Sequence, residues 1–100
     1  MTTITRTADG ITITGHAGYA KAGQDIVCAG ISTLAQTLIA SIEELTEDKI
    51  TYCISPGTVD IKHGNLSEQA QLLVNSFFVG VEMIANTYPE NVKIAQACKA

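Results

Sequence analysis

The chain has 100 residues, of which 46% are apolar and 16% charged, and its formal net charge is −4. That length fits one domain, 1–100, with a modest core, and the composition excludes a disordered or fibrous chain. The six basic residues, Arg6, Lys21, Lys49, Lys62, Lys93 and Lys99, are scattered and no aromatic residues alternate with them, so no nucleic-acid face is expected.

Residues 2–7 are rich in Thr and Ile and predict a strand. Asp9-Gly10 is a hairpin turn signal. Residues 11–16 then alternate, with Ile11, Ile13 and Gly15 on one face and Thr12, Thr14 and His16 on the other. His16 therefore ends the strand on its polar side. The segment 17–24, AGYAKAGQ, reads as a loop with Gly18 and Gly23 as its pivots; it is either a fixed crossover or a lid over a bound peptide. Asp25 is a good N-cap, and Val27, Ile31, Leu34, Leu38, Ile42 and Leu45 recur at helical spacing up to about residue 45.

Residues 49–55 predict a third strand and 58–62 a fourth, joined by Pro56-Gly57 in a type II turn. Ser67 is placed to cap a second helix carrying Ala70, Leu73, Val74, Phe77, Phe78, Val81 and Ile84, which Pro89 ends. Gly80 inside that helix points to a close packing contact, because glycine there costs about 1 kcal/mol against alanine. Residues 91–95 are a further, short strand candidate. The expected fold is α+β: a small antiparallel sheet with two helices on one face, in the order ββαββα.

The cysteines, at 28, 53 and 98, are odd in number and form no CxxC pair, which argues against a secreted disulfide scaffold. The N-terminus has no apolar signal core. The apolar stretch near 26–42 is interrupted by Ser32, Thr33, Gln36, Thr37 and Ser41, and no membrane span is expected. The expected location is the cytoplasm. Cys28, Cys53, Cys98, His16 and His63 have no zinc-ligand spacing, and no metal or cofactor is expected.

With Asp25 as N-cap, Cys28 falls at N3. Helix N-termini carry unpaired N–H groups and a partial positive charge, which favour a thiolate, and the same N–H groups are candidates for an oxyanion site. A histidine within reach would pair with the thiolate and protonate a leaving amine. His16 is the candidate, joined to N3 by an eleven-residue connection, residues 17–27. Each residue also has a plain reading: Cys28 as a small buried side chain, His16 as a solvated strand end, Asp25 as a cap and nothing more, Ser32 as a polar residue bonded to its own helix. Cys53, Cys98 and His63 lack an activating helix N-terminus. Glu43, Glu44, Glu47 and Asp48 read as a solvated helix end.

The run Gly15 to Ser32, GHAGYAKAGQDIVCAGIS, resembles the signature of the ribosomal-processing cysteine proteases, the Prp family. Gly15, His16, Ala17, Gly23, Asp25, Cys28 and Ser32 carry the likeness, and Ala29-Gly30 departs mildly from its usual pair of small residues. The resemblance implies an α+β homodimer and a Cys28/His16 dyad. It also implies an endopeptidase that removes an N-terminal extension from ribosomal protein L-27 of the large subunit, with supporting roles for Asp25 (helix cap), Gly15, Gly23 and Ser32. The ribosomal protein precursor would be the partner; no nucleic acid or membrane is implied. Two alternatives stay open: a non-catalytic dimeric adaptor or ribosome-assembly factor, and a related protease acting on a phage structural protein.

Overall fold

The structure is a computed structural model and describes residues 1–21 and 23–96. Strands β1 (Thr2–Thr7) and β2 (Gly10–Thr14) form a hairpin, followed by helix α1 (Ile26–Leu45). A second hairpin, β3 (Ile50–Ser55) and β4 (Thr58–His63), leads to helix α2 (Glu68–Thr87) and a last strand β5 (Val92–Gln96). The sheet order is β3-β4-β2-β1-β5.

The expected order ββαββα and the purely antiparallel sheet are corrected by β5. It runs parallel to β1, with Thr2 beside Val92 and Ile4 beside Ile94, so the sheet is mixed and has five strands. Helix α2 provides the crossover that a parallel pair requires. The strand candidate at 91–95 is present as β5, Val92–Gln96; its parallel pairing with β1 is a tertiary choice that so short an alternation does not carry.

One face of the sheet is apolar by register. Ile4 opposes Ile13, and Ile11 opposes Ile61. All four are buried, and each contributes roughly 1.5–3 kcal/mol to the core. Both helices cover this face, α1 through Val27, Ile31, Ala35, Leu38, Ile39 and Ile42, and α2 through Ala70, Val74, Phe77, Phe78 and Val81. The two helices approach closely where Gly80 was expected to allow it: a Cβ on Gly80 would lie 3.0 Å from Leu34 Cδ1.

By length and mean hydropathy α1 could cross a membrane, more readily than its interrupting polar residues suggest. In the structure its apolar stripe is the centre of the core. Its far end leads to Asp48, which, unlike the expected solvated helix end, braces α2. Asp48 accepts hydrogen bonds from Ser67 Oγ at 2.6 Å and from Ser67 N at 2.8 Å, while Ser67 Oγ accepts from Ala70 N. The bond from the Ser67 hydroxyl, followed by that from its N–H, holds the Asp48 carboxyl below its usual range.

Candidate active site

The site is built around the start of α1. Asp25 has an extended backbone and caps the helix. Its Oδ1 accepts from the N–H groups of Val27 and Cys28, both at 3.0 Å. Its Oδ2 accepts from Tyr19 N and Ala20 N at 3.0 and 3.3 Å. One carboxylate thus ties the preceding loop to the helix that carries Cys28. These bonds, the one from the Cys28 N–H foremost, hold the Asp25 carboxyl below its usual range.

Cys28 occupies N3 as expected, but the expectation that its neighbouring amides stand free is corrected. The N–H groups of Val27 and Cys28 are taken by the cap itself, because a capping carboxylate is a stronger acceptor than water for those donors. A different backbone group faces the sulfur. The N–H of Ala17 points at Cys28 Sγ, 3.2 Å away. The Ala17 side chain is buried, and its carbonyl accepts from Asn91 Nδ2 at 2.9 Å. Asn91 carries no signal in the sequence and Ala17 stands there only within the family likeness; their roles here come from tertiary contacts.

His16 lies two residues beyond the end of β2 and is exposed. Its ring rests on the turn between β3 and β4: a Cβ on Gly57 would lie 3.1 Å from His16 Nε2 and 3.5 Å from Cε1. Gly57 has φ +76°, the value expected for the second central residue of a type II turn. Its carbonyl accepts from Gly15 N at 2.9 Å, which locks the turn to the residue before His16. Gly15 has φ +88°, and a side chain there would collide with the Met1 carbonyl.

Two cavities meet at these side chains. One, of about 250 Å³, lies toward the sheet and is lined by Ile13, Ile31, Ile54 and Val59 together with the Pro56-Gly57 turn. The other, of about 580 Å³, lies toward the loop and is lined by Gly18, Ala20, Gly23, Asp25 and Ile26. His16, Cys28 and Ser32 line both. A chain laid across the site would pass these three side chains with space on either hand. Gly23 has φ +86° and open space around it. The described part of the loop is anchored at Ala17, Tyr19 and Ala20, and the Tyr19 ring meets Tyr88 edge to face at 5.2 Å. These anchors favour a fixed crossover over a lid at Ala17, Tyr19 and Ala20.

The remaining candidates lie elsewhere. Cys53 is exposed on β3 and points, with Asp60, to the face away from the helices. His63 bonds the Gly64 carbonyl through Nδ1 and lines a separate cavity of about 490 Å³ with Arg6 and Gln96. Cys98 falls outside the described residues.

The family model described as cysteine protease Prp matches residues 1–93. The chain belongs to the Prp family of cysteine proteases. The ribosomal processing cysteine protease Prp of Bacillus subtilis is 30% identical over 92 residues, covering 82% of this chain and 80% of the relative. Its counterpart from Staphylococcus aureus is 31% identical over 83 residues, covering 80% and 78%. The crystal structure of the S. aureus Prp in complex with a covalently linked product peptide superimposes with a TM-score of 0.92 at 25% identity, over 97% of this chain and 100% of that one. With Prp membership the chain is a cysteine protease, and its helix pair and five-stranded sheet are those of the Prp structures.

Proposed function

We propose that this protein is an endopeptidase that removes the N-terminal extension of ribosomal protein L-27, with Cys28 as nucleophile and His16 as its proton partner. The observation that carries the reading is the meeting of His16, Cys28 and Ser32 at the junction of two cavities. In the first step His16 takes the thiol proton and Cys28 Sγ attacks the scissile carbonyl carbon. The tetrahedral intermediate collapses to a thioester, and the amine leaves with the proton returned by His16. Water, deprotonated by His16, then hydrolyses the thioester and regenerates the thiol. Ala17 N–H supports the negative charge on sulfur. The Ser32 hydroxyl, one turn after Cys28, is available to the substrate carbonyl. The product peptide covalently linked in the S. aureus relative's structure is in keeping with a covalent step.

The substrate assignment is supported by relatives named for ribosomal processing, and the protein is assigned to the cytoplasm, where ribosomes are assembled. A homodimer belongs to the same reading. Leu72, Val79 and Met83 recur seven and four residues apart on the outer side of α2 and are 60–69% exposed, a stripe that a second copy would cover. The test is incubation of the purified protein with extended L-27 N-terminal peptides, read by mass spectrometry. The wild type cleaves them and folded Cys28→Ala does not. His16→Ala loses on the order of a hundred- to ten-thousand-fold in turnover. Cleavage by Cys28→Ala at the wild-type rate would end the assignment.

A further inference from the structure

We infer that Asn91 is a positioning residue for Cys28, acting through Ala17. Asn91 sits half-buried in the turn between α2 and β5. Its backbone is fixed on both sides: its N–H donates to Tyr88 O at 2.9 Å, and its carbonyl accepts from Thr2 N at 2.9 Å. These bonds do not involve the side chain. The side-chain amide reaches across 74 residues of sequence to the carbonyl of Ala17.

Ala17 is thereby held at three points. Its methyl group is buried in the core, its carbonyl is bonded to Asn91, and its N–H points at Cys28 Sγ. Within one residue only φ and ψ separate the N–H from the C=O. Fixing the carbonyl and the methyl sets ψ and the place of the nitrogen, and leaves φ as the one rotation open to the N–H. The need for an outside anchor follows from the loop itself: Gly15, Gly18 and Gly23 all have positive φ, and glycine gives a chain little stiffness of its own. Tyr88, three residues before Asn91, meets Tyr19 edge to face. The turn after α2 thus grips the loop on both sides of Gly18. An N–H aimed at sulfur supports the charge the sulfur carries as a nucleophile. A side chain that holds this N–H in place acts on the reaction without touching the substrate.

This inference rests on Cys28 as the nucleophile, and the experiment separates the two ideas. Asn91→Asp removes the donor with almost no change of shape; Asn91→Ala removes the side chain. Both are compared with the wild type in the full-length protein by peptide cleavage, and by iodoacetamide labelling with each cysteine quantified by mass spectrometry. Exposed Cys53 is the internal reference. In both variants kcat should fall about three- to tenfold, the loss of one hydrogen bond, with KM within twofold. Labelling of Cys28 relative to Cys53 should fall by a similar factor. If Asn91→Asp melts below the assay temperature, Asn91→Ala carries the same comparison. Wild-type kcat and labelling ratio in the folded variants would overturn the role of Asn91 alone. Cleavage that survives complete alkylation of wild-type Cys28 would overturn the nucleophile, and this inference with it.

Discussion

Replacing Gly57 by alanine tests whether the β3–β4 turn sets the position of His16. Two costs follow from the structure. Gly57 has φ +76°, where an L-residue costs roughly 1–2 kcal/mol. For a domain of this size that lowers Tm by on the order of 5–10 °C. The new Cβ would also lie 3.1 Å from His16 Nε2 and 3.7 Å from Cδ2. Ordinary carbon contacts are about 3.5–4.0 Å, so the ring must retreat by about 0.5 Å. A misplacement of about 1 Å can cost a hundredfold, so kcat/KM should fall about tenfold. Gly57→Asn separates the two effects, because asparagine tolerates this backbone conformation yet carries the same Cβ. It should recover part of the stability and none of the activity. Thermal melting by circular dichroism and cleavage of an L-27 peptide at saturating and limiting concentrations supply the numbers. Wild-type kcat/KM in both variants would refute the idea that this turn positions the imidazole.

Two further predictions concern charge and association. The carboxyls of Asp25 and Asp48 are both held below their ordinary value of 3.8, so as pH falls the unfolded chain takes up protons before the folded one. Their stabilisation is fully present above the unfolded value and is lost as pH falls through the folded values. Tm should therefore drop on acidification below about pH 4, and less steeply in Asp25→Asn/Asp48→Asn; parallel curves for the two proteins would contradict this. Val79→Glu places a charge in the exposed stripe of α2; under the proposed homodimer the wild type should scatter as a dimer and this variant as a monomer, with the helical circular dichroism retained. A monomeric wild type would refute the homodimer, and an unchanged dimer mass in the variant would refute this face as its interface.

The elements announced by local chemistry were legible in the sequence, and those that depend on distant partners were not. Asp25 and Ser67 are caps at the positions their residue types indicate. The 3.6-residue stripe gave both helix spans, and Gly80 gave the helix contact. The likeness carried by Gly15 to Ser32 points to the same family as the match over residues 1–93. Asp48 was misread because its partner, Ser67, lies nineteen residues away. The amides of Val27 and Cys28 were read as free because the N-cap and the oxyanion site compete for the same donors, and residue types alone do not say which acceptor wins. Gly57 was legible as a turn residue and Ala17 as part of the family likeness, but their contacts with His16 and Cys28, and the bond from the Asn91 side chain to Ala17, depend on tertiary neighbours. Their neighbours are set by the strand order β3-β4-β2-β1-β5.

The pairing of β5 with β1 has a bearing on when the protein becomes competent during its own synthesis. Everything from Met1 to Ser67 can leave the ribosome with His16, the cap and Cys28 already in the chain. The residues that hold the loop, Tyr88 and Asn91, emerge only after both helices. Contacts spanning that much sequence form late, because the whole intervening chain must be ordered first. A nascent chain that stops before Val92 carries both reactive side chains and leaves β1 without its parallel neighbour. Until the turn after α2 and strand β5 have been translated, the Ala17 carbonyl lacks its bond from Asn91 and β1 lacks its parallel neighbour.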